Sequence, residues 1–144
     1  MPPTNTKKRI LISAEYLAFT GFSTVCENIC EILKYNYDIT VIDYSRQHDY
    51  VFKANGVTFT GNPKSASEDR FGVEKIIRVM ESYDYLLFIN DIWNIDEMLT
   101  SIRMSEKKLP NIVIYFPIDA GGHFGYWYKN LDIVSSVVTY TKFA

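Results

Sequence analysis

The chain has 144 residues, 47% of them hydrophobic and 22% charged, which is enough apolar side chain for one core and too little charge for disorder. That length matches one domain against a typical ~100–200 residues per domain, so a self-contained two-domain enzyme is not expected. With 15 Lys and Arg against 17 Asp and Glu, a net charge of −2 and no basic run, neither nucleic acid nor an anionic membrane is expected as the main partner.

The polar start, Met1 to Lys7, is expected to be a flexible tail and lacks the apolar core of a signal peptide. No apolar stretch approaches the roughly 20 residues of a membrane-spanning helix, so the expectation is a cytoplasmic chain without a transmembrane segment. Lys8–Ser13 is a short apolar run closed by a polar residue, the pattern of a strand buried on both faces. After a loop come Gly21 and the candidate N-caps Ser23 and Thr24. Phe22, Val25, Cys26, Ile29, Cys30 and Leu33 follow at three- and four-residue spacing and predict the first helix. Cys26 and Cys30 on that face read as small core residues rather than half of a metal site.

Asp38–Asp43 predicts a second strand, completing a strand-helix-strand unit. Val57–Thr60 after Asn55-Gly56 reads as a third strand, closed by Gly61-Asn62-Pro63. Val73, Ile76, Ile77 and Met80 mark a second helix, and Tyr85–Ile89 a buried strand ending in Asn90-Asp91. Asn94 with Glu97 predicts a capping box at the start of a third helix, whose core stripe is Ile95, Met98, Leu99 and Ile102. Ile112–Phe116 is another buried strand, and Val137–Tyr140 the last. The alternation predicts a single doubly wound, mainly parallel α/β sheet with helices on both faces, Rossmann-like in class.

In such sheets ligands bind beyond the C-terminal ends of the strands, which singles out three loops. The first, Phe19 to Thr24, brings Gly21, Phe22, Ser23 and Thr24 to a helix N-terminus suited to an anion. It lacks both the Gly-x-Gly-x-x-Gly and the Gly-Lys-Ser/Thr fingerprints. The second carries Asn90 and Asp91. The third, Pro117 to Tyr128, holds Asp119, Gly121, Gly122, His123, Tyr126 and Trp127, whose glycines, carboxylate, imidazole and rings suit a polar ligand with a stacking face. The competing reading is that Trp127 and Tyr128 anchor a short helix on the core. His48 and His123, with two helical cysteines, give no zinc-spaced set.

Taken together, the Lys8–Ser13 strand, the loop into Gly21-Phe22-Ser23-Thr24, the helix, and Asp38–Asp43 resemble the opening of GT-B-fold glycosyltransferases. Ile112–Asp119, Leu131-Asp132 and Val137–Ala144 are similar to the far end of the same half in retaining, nucleotide-sugar-dependent members. The resemblance implies the N-terminal, acceptor-side half of an enzyme that moves a sugar from a nucleotide diphosphate sugar to an acceptor hydroxyl. Gly21, Phe22, Ser23 and Thr24 would face the donor phosphates. Asn90, Asp91, Gly121, Gly122, Tyr126 and Trp127 would border acceptor and sugar, with Asp119 and His123 nearest the chemistry. The resemblance implies no metal and no covalent cofactor.

It also implies a second domain as partner, whereas a homo-oligomer is the partner expected of a non-catalytic domain. Relatives hold the nucleotide with two glutamates separated by seven residues, and no pair here has that spacing. Relatives also carry a histidine at the end of the strand where this chain has Pro117-Ile118-Asp119. Ending at Phe143-Ala144, the chain reads as one half expected to turn over little by itself. The alternatives are a flavodoxin-like FMN module, with Trp93 and Trp127 or Tyr128 flanking the flavin, and a non-catalytic α/β interaction domain.

Overall fold

The structure, a computed structural model, describes residues 6–16, 18–118 and 122–140. Seven strands form one sheet: β1 (Lys8–Ala14), β2 (Tyr37–Asp43), β3 (Val51–Ala54), β4 (Val57–Gly61), β5 (Tyr85–Ile89), β6 (Asn111–Pro117) and β7 (Ser136–Tyr140). Their order across the sheet is β3-β4-β2-β1-β5-β6-β7, and every neighbouring pair is parallel except β3 with β4. This is a Rossmann-like α/β sheet with an antiparallel ribbon added at one edge. The chain runs outward from β1 through β2 to β4, then crosses back to β5, so the switch point lies between β1 and β5.

Helix α1 (Gly21–Leu33) covers one face, while α3 (Val73–Val79) and α4 (Ile92–Met104) cover the other, with the one-turn α2 (Ala66–Asp69) leading into α3. The two faces carry separate cores. Ile10, Ile12, Ile39, Val41, Phe59 and Ile89 meet α1 through Cys26 and Cys30. Leu11, Ile42, Leu86, Phe88, Ile114 and Phe116 meet α3 and α4. Strand residues therefore alternate between two apolar layers, which is why β1 and β5 read as unbroken apolar runs. Both cysteines are buried free thiols, and a hydrogen bond to Cys30 together with burial pushes the Cys26 thiol upward.

Two helix starts differ from the sequence expectation. The N-cap of α1 is Thr20, not Ser23 or Thr24. Phe19 takes a positive φ of 55° and turns the chain early, so Ser23 falls at the third helical position. There the Thr20 hydroxyl accepts from the Ser23 N–H at 3.1 Å and the Ser23 hydroxyl accepts from the Thr20 N–H at 3.1 Å. Helix α4 begins at Ile92 with Asp91 as N-cap, so Asn94 and Glu97 lie inside the helix and form no capping box. Asn94 instead donates to Asn90 Oδ1 at 3.0 Å.

Strand β3 and helix α2 were not expected. β3 joins β4 through Asn55 and Gly56, both at positive φ (53° and 79°), the geometry of a tight hairpin turn. In α2, Glu68 reaches back to accept from the Ser65 N–H at 3.1 Å. Among the described residues no helix is long and apolar enough to cross a membrane.

Candidate functional site

Three connections, β1 to α1, β5 to α4 and β6 to β7, meet beyond the C-terminal end of the sheet, beside the end of β2. Ser13 lies next to last on β1, and Asn90 follows β5. Register pairs Ser13 with Phe88, so Asn90, two residues further, faces the same α4 side of the sheet. Ser13 is 0% and Asn90 3% exposed, and among the described residues Ser13 Oγ and Asn90 Nδ2 have no hydrogen-bond partner. An orphaned buried donor costs ~1–3 kcal/mol, so two of them at the switch point mark strain or a site for an acceptor atom. The Asn90 oxygen is fully used: Asp91 N–H donates to it at 2.8 Å and Asn94 Nδ2 at 3.0 Å. These contacts fold the carboxamide against the first turn of α4 and leave its N–H groups unspent.

Around this point the polar groups are acidic. Asp43, 1% exposed at the end of β2, accepts from Tyr16 N–H at 3.2 Å and Ser45 N–H at 3.0 Å and pairs with Arg46 at 3.4 Å. Tyr44 donates to the Ile89 carbonyl at 3.3 Å. Burial first, then the carboxylates of Glu15 and Asp91, push its hydroxyl well above the usual tyrosine range, so it remains a donor. Glu15 accepts from the Thr20 hydroxyl at 2.6 Å, which sets a carboxylate at the start of α1. Gly21 lies there without positive φ, and a Cβ would meet nothing within 4 Å. Phe22 packs on the α1-side core, Ser23 is spent in the cap, and the Thr24 hydroxyl donates back to Thr20 O at 3.2 Å. A phosphate at this helix start would meet Glu15 directly.

The third connection supplies rings. Gly122, at φ 87°, leads into His123 and the 3-10 turn Gly125–Tyr128. His123 Nδ1 meets the Tyr128 hydroxyl at 2.6 Å, which fixes the imidazole plane and leaves Nε2 outside that contact. Trp127 and Tyr128 pack against the core, as the anchoring reading expects. Trp127 also touches Trp93 on α4, with ring centroids 5.3 Å apart, Phe124 at 4.9 Å and Tyr126 at 5.8 Å. Trp93, Phe124 and Tyr126 are 43%, 56% and 61% exposed, forming an aromatic shelf one helical turn from Asn90. Asp119 and Gly121 lie outside the described residues.

The structure thus brings Asn90, Asp91, Trp93, His123, Tyr126 and Trp127 to one end of the sheet, on the α4 side, while Gly21 to Thr24 begin the helix on the other face. Sequence reasoning missed Glu15, Asp43 and Tyr44. Their signal was available, because each follows directly on, or closes, a buried strand at the ligand-binding end of the fold. A cavity of about 500 Å³ adjoins the crevice at Asn94 and runs between α3 and α4, edged by Glu68, Glu74 and Glu97. Among the described residues no three metal-ligating side chains converge.

The class defined by this topology is a Rossmann-like α/β domain whose switch point lies between β1 and β5, the place where sheets of this class bind ligands. A scan against protein-family models and a search of curated proteins both give no match. Among solved structures, the chain is similar to one described as "Crystal structure of RSP, a Rex-family repressor", at 13% identity and a TM-score of 0.47. The likeness covers 94% of this chain and 53% of that one, so this chain spans about half of that structure's length.

Proposed function

We propose that the chain is the acceptor-side half of a nucleotide-sugar-dependent glycosyltransferase and that its crevice receives a sugar or another polyhydroxylated acceptor. The observation that carries this reading is the buried Asn90 amide, with unspent N–H groups, beside the exposed shelf of Trp93, Phe124 and Tyr126. A sugar ring presents apolar C–H faces to aromatic rings and hydroxyls to amides and carboxylates, and this end of the sheet offers both. Asn90 would donate to an acceptor oxygen, and Glu15 and Asp91 would accept from hydroxyls. His123, held by Tyr128, and Asp119 would border the hydroxyl that attacks the anomeric carbon as the nucleotide diphosphate departs.

The carboxylate of Glu15 makes this crevice a poor host for a diphosphate, so donor binding would fall to a second domain or to another copy of the chain. A flavin between Trp93 and Trp127 is less well supported. Two stacking contacts need ring planes ~7 Å apart, whereas these centroids are 5.3 Å apart.

Tryptophan fluorescence tests the reading, since Trp93 and Trp127 both lie at the shelf. Titration with mono- and oligosaccharides is expected to change the emission saturably, and Asn90→Ala and Tyr126→Ala are each expected to weaken binding by roughly tenfold, about 1.4 kcal/mol. Emission unaffected by every saccharide, or binding indifferent to both substitutions, would overturn it.

A further inference from the structure

The α3 side of the sheet has a second concavity, away from the crevice. Helix α3 is seven residues long, and beyond it the strands of the hairpin side carry a polar floor. On β2 and β4 the side chains alternate strictly. Ile39, Val41, Val57 and Phe59 enter the α1-side core, whereas Thr40, Thr58 and Thr60 face the other way. The register sets Thr40 beside Thr58, and Thr58 opposite Lys53 of β3, so two hydroxyls and a lysine lie in one row across three strands. A cavity of about 450 Å³ stands over this row, walled by Lys75 and Val79 of α3, with Arg9 and Tyr83 toward β1. That volume suits a small organic ligand, whose sites commonly measure ~300–1,000 Å³.

The charges on this cavity do not balance. Arg9 pairs with Asp38 at 3.6 Å and lies over the Tyr83 ring, 4.4 Å from its centroid. Lys75, its side chain 13% exposed, reaches Asp49 at 3.3 Å and the Gly61 carbonyl at 2.9 Å and donates to the Thr60 hydroxyl. Both carboxylates are thereby spent on cations that hold the walls. Lys53 is the third cation, and among the described residues it has no ion pair or hydrogen bond. The half-buried hydroxyls of Thr40 and Thr58 likewise have no partner among the described residues. The floor therefore offers three unspent donors and a surplus positive charge, in a chain whose net charge is −2.

We propose that this cavity binds a phosphate monoester. Adjacent strands lie about 4.8 Å apart, so the Thr40 and Thr58 hydroxyls can each donate to a different oxygen of one phosphate. Lys53, opposite Thr58, supplies the countercharge, since an ammonium serves phosphate as a compact point charge. A neutral polyol makes no use of that charge. A carboxylate has two oxygens for three donors, whereas a phosphate monoester has three. Leu11, Val79 and the Tyr83 ring give the organic part of the ester an apolar wall. The cavity lies over the middle of β2 and β4 rather than beyond the strand ends, so it stands or falls independently of the sugar-acceptor crevice.

Amide chemical-shift titration of the 15N-labelled full chain at pH 7, at constant ionic strength, tests this with glucose 6-phosphate, inorganic phosphate and glucose. Glucose 6-phosphate is expected to shift Thr40, Lys53, Thr58 and Lys75 saturably and to bind more tightly than inorganic phosphate, while glucose shifts none of the four. Lys53→Ala, at an exposed strand position, and Thr58→Val, which keeps the side-chain shape, are each expected to weaken binding by roughly tenfold with the rest of the spectrum unchanged. Lys108→Ala, at an exposed lysine outside the cavity, is expected to leave binding intact. The proposal is overturned if glucose 6-phosphate leaves these four amides unmoved or if binding is indifferent to Lys53→Ala or to Thr58→Val. Equal affinity for inorganic phosphate would assign the cavity to the free ion and overturn the ester. A loss on Lys108→Ala as large as that on Lys53→Ala would reduce the site to an adventitious ion only.

Discussion

Gly61 and Ser13 show how single residues divide between closing the backbone packing and burying a polar group in it. At Gly61, closing β4, a Cβ would overlap the His48 carbonyl and the Tyr50 ring, so the backbone of the β2–β3 connection lies directly on the glycine. Gly61→Ala is expected to destabilise by roughly 1–3 kcal/mol, the usual range for overpacking, read as a lowered urea midpoint at unchanged slope. Ser13 is the reverse case. Its hydroxyl is fully buried and has no partner among the described residues, so Ser13→Ala removes a desolvated polar group and is expected to raise stability by up to about 1 kcal/mol in the free protein. A loss of stability on Ser13→Ala would show that the hydroxyl is already satisfied. Asn90 differs because its oxygen organises the start of α4 while its nitrogen stays unspent, which sets it at the centre of the crevice.

At the scale of elements, the starts and anchors of the helices decide how the crevice is presented. The reciprocal Thr20–Ser23 cap fixes where the first loop ends, and Thr20→Ala is expected to cost about 1 kcal/mol, measurable in denaturant unfolding. The connection from β6 to β7 is tied to α4 through Asn130, 4% exposed, which donates to the Asp96 carboxylate at 2.7 Å and to Thr100 Oγ1 at 2.9 Å and accepts from Arg103 at 3.0 Å. Asn130→Ala removes one hydrogen bond from the buried Asp96 carboxylate, which keeps its ion pair with Lys129 at 3.0 Å, and is expected to destabilise by about 1–2 kcal/mol. It should also loosen the shelf, seen as red-shifted tryptophan emission. The apolar runs of β1, β5 and β6 were plain in the sequence because strands buried on both faces need unbroken apolar stretches. The face of α1 was plain for the same reason, at helical spacing. The hairpin strand β3 was not, since its four residues are exposed and only the Asn55-Gly56 turn betrays it. The cap positions were misplaced because several hydroxyls and carboxamides lie within reach of each helix start, and the turn at Phe19, a residue that rarely adopts positive φ, chose among them.

Over the whole molecule, the two faces of the sheet divide the work. The α4 side ends in the crevice, where buried Asn90, acidic neighbours and an aromatic shelf converge, and the α1 side packs on α1 and leaves Val138 and Tyr140 of β7 exposed. Residues far apart in sequence meet in that crevice, from Ser13 and Tyr44 to Trp127. The third loop, with its glycines and rings, was visible as a candidate from composition alone, while Glu15 and Tyr44 acquire meaning only once β1, β2 and β5 lie side by side. The central claim is that a polyhydroxylated ligand binds at this end of the sheet. Amide chemical-shift mapping of the 15N-labelled chain, titrated with mono- and oligosaccharides, tests it most directly. Shifts concentrated at Asn90 to Trp93 and Gly122 to Trp127 are predicted. Spectra unchanged by every saccharide, or shifts confined to the N-terminal ends of the strands, would contradict it.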